Sequence, residues 1–243
     1  MQFLALRIRF FLFFSFAFYS LVKAQHDTTI YFFPGQGSDQ RIFDSLTING
    51  VYQKKYISYP IPNRKTNLKQ FASELASQID TTKPFILIGV SLGGMICCEL
   101  SEILKAQKTI IISSAKNCSD LPFRYRFQKI IPIYKVIPPR LLRIGAIMMQ
   151  PIVEPDRKHN KATFKSMLKQ KKPKYIKRTI YMIMTWDRKL NSHPIYHIHG
   201  TKDHTLPIRK ISVVDLIIKN GSHMMTLTRA KEISESLNAI LKN

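Results

Sequence analysis

Gly89-Val90-Ser91-Leu92-Gly93 sets a lone hydroxyl between two glycines, directly after the apolar run "FILI" at 85–88. Glycines at this spacing let a chain turn from strand to helix in very few residues. The serine is then forced into a strained position with its hydroxyl exposed. A helix starting there also directs free backbone N–H groups and a positive dipole end at that hydroxyl. A serine hydroxyl is a weak nucleophile without a base, and the base needs an acid to orient it. Asp203, in "HGTKDHTLPI", follows one apolar run, and His223, in "KNGSHMM", follows the next. Serine, acid and histidine in that chain order, each just after a strand, is an arrangement able to attack a carbonyl. On the plainer reading Asp203 is a turn residue and His223 a helix-start residue, but their joint order with Ser91 favours chemistry. His197 and His199 lie inside their own apolar run and are expected in the core. His204 adjoins the acid but does not follow the next strand. Asp215 begins a run, and so belongs at the opposite edge.

Attack on a carbonyl also needs donors for the developing negative charge. The loop "FFPGQGSDQ" follows the run "TIYFF" at 29–33. The backbone N–H groups of Gln36, between Gly35 and Gly37, and of Leu92 are the expected oxyanion hole. A plain glycine turn is the alternative for this loop.

These residues need a sheet to hold them. Besides "TIYFF", the apolar or β-branched runs are "FILIG" at 85–89, "TIIIS" at 109–113, "PIYHIHG" at 194–200 and "DLIIKNG" at 215–221. Continuous apolar runs of this length suit strands covered on both faces. Helical patterns lie between them: Thr66 to about Ile79, a segment following Gly94 that carries Met95, Cys98, Ile103 and Leu104, and roughly Met225 to Leu241. Alternating strand and helix predicts an α/β class, doubly wound around a mostly parallel sheet. Residues 117–190 interrupt the alternation with seven prolines and amphipathic pieces near 141–148, 164–168 and 176–184. They are expected to form a helical cap inserted over the sheet, not a separate domain.

With 243 residues, 45% hydrophobic and 22% charged, the chain can bury one ordinary core and does not resemble a disordered one. Residues 1–24 combine Arg7 and Arg9, an apolar stretch from Phe10 to Val22, and Val22-Lys23-Ala24. That order reads as a secretory signal peptide cut after Ala24, leaving 25–243 as the folded domain. The protein is therefore expected in the periplasm or outside the cell, or tethered to a membrane if the segment is retained. Cys97 and Cys98, adjacent on a helix, read as buried free thiols. No metal-ligand spacing appears, and no metal or cofactor is expected.

The formal charge is +23, and +20 without the three cations of residues 1–24. From Lys116 to Lys189 nineteen Lys/Arg face four Asp/Glu, a net +15. Such a patch suits an anionic membrane, an acidic polymer or an anionic substrate, or is a solvated surface and nothing more. No nucleic-acid module is present, and nucleic acid is not an expected partner.

"GVSLGG", "HGTKDHTLP" and "GSHMM", in this order and with a cap between, resemble the α/β-hydrolase superfamily over nearly all of 29–243. The resemblance implies a Ser91–Asp203–His223 triad and cofactor-free hydrolysis of an ester, thioester or amide of a small acyl substrate. Pro34 departs from the pattern, since many members carry histidine before the oxyanion-loop glycine. "FFPGQGSDQ" with "GVSLGG" is also similar to malonyl/acyl transferases. Those have histidine at the position of Val90, glutamate at that of Gly94, and no counterpart of the acid loop. Acyl transfer to an acceptor other than water therefore stays an alternative. So does a catalytically silent ligand-binding protein on the same scaffold.

Overall fold

The computed structural model describes residues 28–156 and 160–242; the expected signal segment, 1–24, lies outside them. In chain order the elements are β1 (Thr29–Phe33), β2 (Gln53–Tyr56), α1 (Leu68–Ala76), β3 (Phe85–Val90), α2 (Leu92–Leu100) and β4 (Lys108–Ile112). Four helices follow: α3 (Phe123–Ile130), α4 (Pro139–Val153), α5 (Lys161–Gln170) and α6 (Pro173–Thr185). The chain closes with β5 (Tyr196–Gly200), β6 (Leu216–Ile218), α7 (Met225–Thr228) and α8 (Ala230–Lys242). The six strands form one sheet in the order β2-β1-β3-β4-β5-β6, and every pairing is parallel.

Side chains alternate across a strand, so a run apolar at every position must be covered on both faces. Tyr31, Phe33, Leu87 and Ile111 join one core with Phe71 and Leu75 of α1 and Ile96 of α2. Ile30, Phe32, Ile88 and Ile110 join the other with Ile233, Leu237 and Ile240 of α8. Each fully buried side chain of this size contributes about 1.5–3 kcal/mol of transfer free energy, which makes these strands the frame of the molecule. Helix α1 begins where Asn67 accepts from the Gln70 amide and Gln70 reaches back to the Asn67 amide, a reciprocal cap.

Three details differ from the sequence expectation. Strand β2, with the sequence QKKY, is exposed along its whole length and sits at the sheet edge. It is held by main-chain pairing with β1 and so carries no apolar run. Helix α2 starts at Leu92 and ends at Leu100, leaving Ile103 outside it and half exposed. Helix α3 was also not anticipated. Its sequence FRYRFQKI alternates apolar and cationic residues, and none of them is buried.

Helices α3 to α6 all lie between β4 and β5 and cover the carboxyl ends of the strands. Among the described residues, no helix is long and apolar enough to cross a membrane. Cys97 and Cys98 are free and fully buried, and burial pushes the Cys98 thiol up to about 12.

Candidate active site

The register of the sheet brings the three chemistry-bearing residues to one edge. Val90 lies beside Ile112, Ile112 beside Ile198, and Gly200 beside Ile218. Ser91 follows Val90, Asp203 comes three residues after Gly200, and His223 five after Ile218. Ser91 sits at φ 54°, ψ −120°, a left-handed conformation that costs a non-glycine residue of order 1–3 kcal/mol. The turn that imposes it is too tight for side chains. A Cβ on Gly89 would lie 2.4 Å from the Gly93 carbonyl carbon, and one on Gly93 2.0 Å from the Phe33 oxygen. The Ser91 amide donates to Ile112 O at 3.0 Å, and Ser114 Oγ donates to Ser91 O at 2.7 Å, so the strained residue is held from both sides.

The side chains form a continuous line. Ser91 Oγ is 2.8 Å from His223 Nε2, and His223 Nδ1 is 2.8 Å from Asp203 Oδ2. The other carboxylate oxygen, Asp203 Oδ1, accepts from the Thr205 and Leu206 amides at 2.8 and 2.7 Å. Burial alone pushes the His223 imidazolium down, but the charge and hydrogen bond of Asp203 outweigh it, and its pKa is raised. For Asp203, burial pushes upward; the facing His223 and the donated hydrogen bonds reverse that and hold its carboxyl below the ordinary range. With Asp203 ionised, the neutral imidazole carries its proton on Nδ1 and presents an open Nε2 to the serine.

His197 and His199 are fully buried, as their place in a strand implied. They also do more than pack. His197 Nε2 meets His199 Nδ1 at 3.0 Å, and His199 Nε2 donates to Leu206 O at 2.8 Å while lying 3.4 Å from Asp203 Oδ2. They back the acid loop from below, and burial keeps both pKa values low. His204 turns away and bonds Ile152 O of α4 at 2.9 Å. Asp215 accepts from the His197 amide at the start of β6, the far edge from Ser91.

Gln36 lines the cavity above Ser91, and Leu92 opens α2 immediately after it. Among the described residues, no acceptor lies on either backbone N–H. The Gln36 side chain is used elsewhere: its Nε2 donates to Thr179 Oγ1 at 2.7 Å and to Ile176 O at 3.2 Å on α6. The Gln36 carboxamide is thereby committed to α6.

One residue of the site was not foreseen. Glu154, just past α4, is 3% exposed and reaches the histidine loop from the cap. Its Oε2 accepts from Ser222 Oγ at 2.8 Å and from the Met224 amide at 3.1 Å, the residues on either side of His223. Burial lifts its carboxyl to about 7; the facing His223 and the two donors only partly counter this. In sequence, "IVEPD" carries no sign of this contact with a loop some 70 residues away.

The cavity over Ser91 is about 220 Å³ and mainly apolar, with Tyr125, Phe164, Met167, Ile180 and Met184 of the cap among its walls. Among the described residues, no group of three or more His, Cys, Asp or Glu could hold a metal ion.

No protein-family model matches the chain, and no curated protein sequence matches it. Solved structures do. An enol-lactonase from Burkholderia xenovorans LB400 superposes with a TM-score of 0.68 at 12% identity, covering 89% of this chain and 92% of that one. MenH from S. aureus gives 0.66 at 14% identity, over 89% and 94%. A thermophilic esterase from Thermogutta terrifontis gives 0.62 at 11% identity, over 88% and 89%. Identities this low carry the fold and nothing further: the chain has the α/β-hydrolase fold, a doubly wound parallel sheet with an inserted helical cap.

Proposed function

We propose that the protein is a serine hydrolase that cleaves a carboxylic ester through an acyl-enzyme on Ser91. The observation that carries this reading is the Ser91–His223–Asp203 line, two 2.8 Å contacts ending at a strained serine under an apolar cavity. His223 Nε2 takes the Ser91 proton as Oγ attacks the substrate carbonyl. The backbone N–H groups of Gln36 and Leu92 receive the oxyanion, and the positive end of α2 adds to its stabilisation. Asp203 steadies the imidazolium. His223 then gives the proton to the leaving oxygen, and afterwards takes one from the water that releases the acid. Glu154 acts on the same step at one remove, by fixing the residues on both sides of His223.

Two neighbours of the same fold are described as an enol-lactonase and an esterase, which supports the ester class. A serine at the elbow, with no carboxylate there, supports a hydroxyl nucleophile. The test uses the protein beside Ser91→Ala, first with a fluorophosphonate probe and then with p-nitrophenyl esters of increasing chain length. Labelling and turnover in the native chain alone are expected, with an optimum at short to medium acyl groups given the cavity's size. A folded native chain that neither labels nor turns over any ester would overturn the reading in favour of a silent binding protein.

A further inference from the structure

We infer that the outer face of the cap docks on an anionic lipid bilayer. Among the described residues, ten of the seventeen large apolar side chains that stand exposed lie within 123–152. On α4 they form a stripe: Leu141, Ile144, Met148 and Ile152 recur at three- and four-residue spacing, with Met148 71% exposed. In the segment just before α4, Ile130 is 77% and Val136 82% exposed. The opposite face of α4 is already used, since Ala146, Gln150 and Val153 line the cavity over Ser91. An apolar face of this extent on a soluble domain marks an interaction site.

Charge identifies what covers it. Residues 121–153 contain six Lys/Arg and no Asp or Glu. On the flank, next to Val136, a groove of about 870 Å³ is lined by Arg64, Lys65, Lys135, Lys174, Lys177 and Arg178, with no carboxylate among its walls. A second copy of the chain would bring the same cations against these, and like charges across an interface are penalised. Residues 1–24 contain no acid either, and cannot answer the charge. A soluble polyanion would answer it but leave Val136, Met148 and Ile152 in water. An anionic bilayer satisfies both features: headgroups meet the Lys/Arg, and the apolar side chains enter the acyl boundary.

The consequence for substrate rests on the hydrolase reading. The helix that touches the bilayer is also a wall of the cavity, so an amphiphilic ester could pass from the lipid phase under the cap. Docking itself does not need Ser91 and is tested apart from it.

The full chain is used, in a Cys118→Ser background, with an environment-sensitive fluorophore on a cysteine replacing Met148. A second chain carries the label in place of exposed Glu235 on α8. Native Cys97 and Cys98 are fully buried and do not compete for label. Each is mixed with vesicles of phosphatidylcholine alone or with phosphatidylglycerol added. The apolar residues 1–24 can hold the chain on any vesicle, so the local label is read and not co-sedimentation. The label at 148 is expected to shift to the blue, and to be quenched by acyl-chain spin labels, only when phosphatidylglycerol is present. The label at 235 should not move. Lys135→Glu with Arg140→Glu should weaken the response to anionic lipid about tenfold or more, and Ser91→Ala should leave it unchanged. A water-like label at 148 on chain-bearing anionic vesicles would overturn the inference. So would an equal shift on phosphatidylcholine alone, or a lipid-free shift that grows with protein concentration, which would assign the face to a second copy.

Discussion

The sheet and the cap solve the burial problem in opposite ways. In β1, β3 and β4 every residue but Lys108 is buried, and successive apolar side chains enter two different cores. Helix α4 buries none of its fifteen residues, and α3 none of its eight. Among the described cap helices, α5 and α6 sink buried side chains such as Phe164, Met167 and Met182 into the sheet's cores, and Tyr125 of α3 packs half-buried against one of them. Much of the rest of the attachment is polar, and it falls on the loops that carry the site. Gln36 reaches Thr179, Arg124 donates to the carbonyls of His204 and Thr205, and Glu154 holds Ser222 and the Met224 amide. The sheet therefore fixes where Ser91, His223 and Asp203 stand, while the cap walls the cavity over Ser91 and bonds the loops around it.

The largest effects are expected on the sheet side. Ser91→Ala should lower kcat/KM for a short p-nitrophenyl ester by about 10⁴-fold or more, because no other group on the line can attack a carbonyl. Its thermal midpoint should stay near that of the native chain. Replacing Val136 with Ser on the outer cap should leave turnover of the same water-soluble ester unchanged. Next comes Gly93→Ala, whose methyl would sit 2.0 Å from Phe33 O and 2.6 Å from Phe33 C, backbone atoms of a central strand. Overpacking of this kind against backbone should cost more than about 3 kcal/mol. A Gly93→Ala chain that melts like the native one would contradict the close packing of the elbow.

The contrast between the two regions also decides what could be read from sequence. Strand β1 is found at the bounds its apolar run implied, 29–33, and β3, β4, β5 and β6 overlap their runs. In β1, β3 and β4 burial on both faces demands such a run, whereas β5 buries two histidines and edge strand β6 leaves Ile217 exposed. Ser91, Asp203 and His223 were identifiable because a parallel sheet carries the residues after its strands to one edge, so chain order alone brings them together. Strand β2 left no trace: its two lysines sit on an exposed edge held by backbone bonds, which sequence pattern does not encode, and Tyr56 adds one stack on Phe32. Glu154 was invisible for a related reason. It is one of four acids in a strongly basic insertion, and its partners lie in a loop beyond β6 that only the folded cap approaches. The Gln36 side chain is similar, since its bond to Thr179 spans 143 residues.

Glu154 is where the two regions meet, and pH should expose the seam. Its carboxyl keeps its proton in the folded chain up to about 7, against an ordinary value of 4.5. The stabilisation from burying the neutral acid is complete below the ordinary value and is lost as pH rises through about 7. A shift of this size corresponds to about 3 kcal/mol. Relative to Glu154→Gln, the native chain should lose up to about that much stability between pH 5 and pH 8, read from chemical denaturation at the two values. Because Glu154, once ionised, also helps raise the His223 pKa, the same variant should move the rising limb of kcat/KM to lower pH. The native limb should have its midpoint above the ordinary imidazole value of 6.5, since His223 must be neutral to act as base. Parallel stability curves for the two chains would mean that Glu154 is ionised throughout, and the cap-to-histidine contact would then be an ion pair.

The smallest effect is the one that asks whether the cap folds as its own unit. Gly145 lies in the middle of α4, and a Cβ there would meet nothing within 4 Å. Alanine at such a site removes the conformational freedom of glycine and gains about 0.5–1 kcal/mol of helix stability. If α4 opens locally, without the sheet, Gly145→Ala should slow hydrogen exchange of the α4 amides about two- to fivefold. Amides of β3 and β4 should then exchange at their native rates, and the global midpoint should barely move. The same substitution at Gly93 is expected to destabilise the whole chain, so one change at two glycines reads out both regions. Slowed exchange spread evenly over the sheet would instead make cap and sheet a single cooperative body. The polar bonds between them, with the α5 and α6 side chains sunk in the sheet's cores, would then transmit the whole gain.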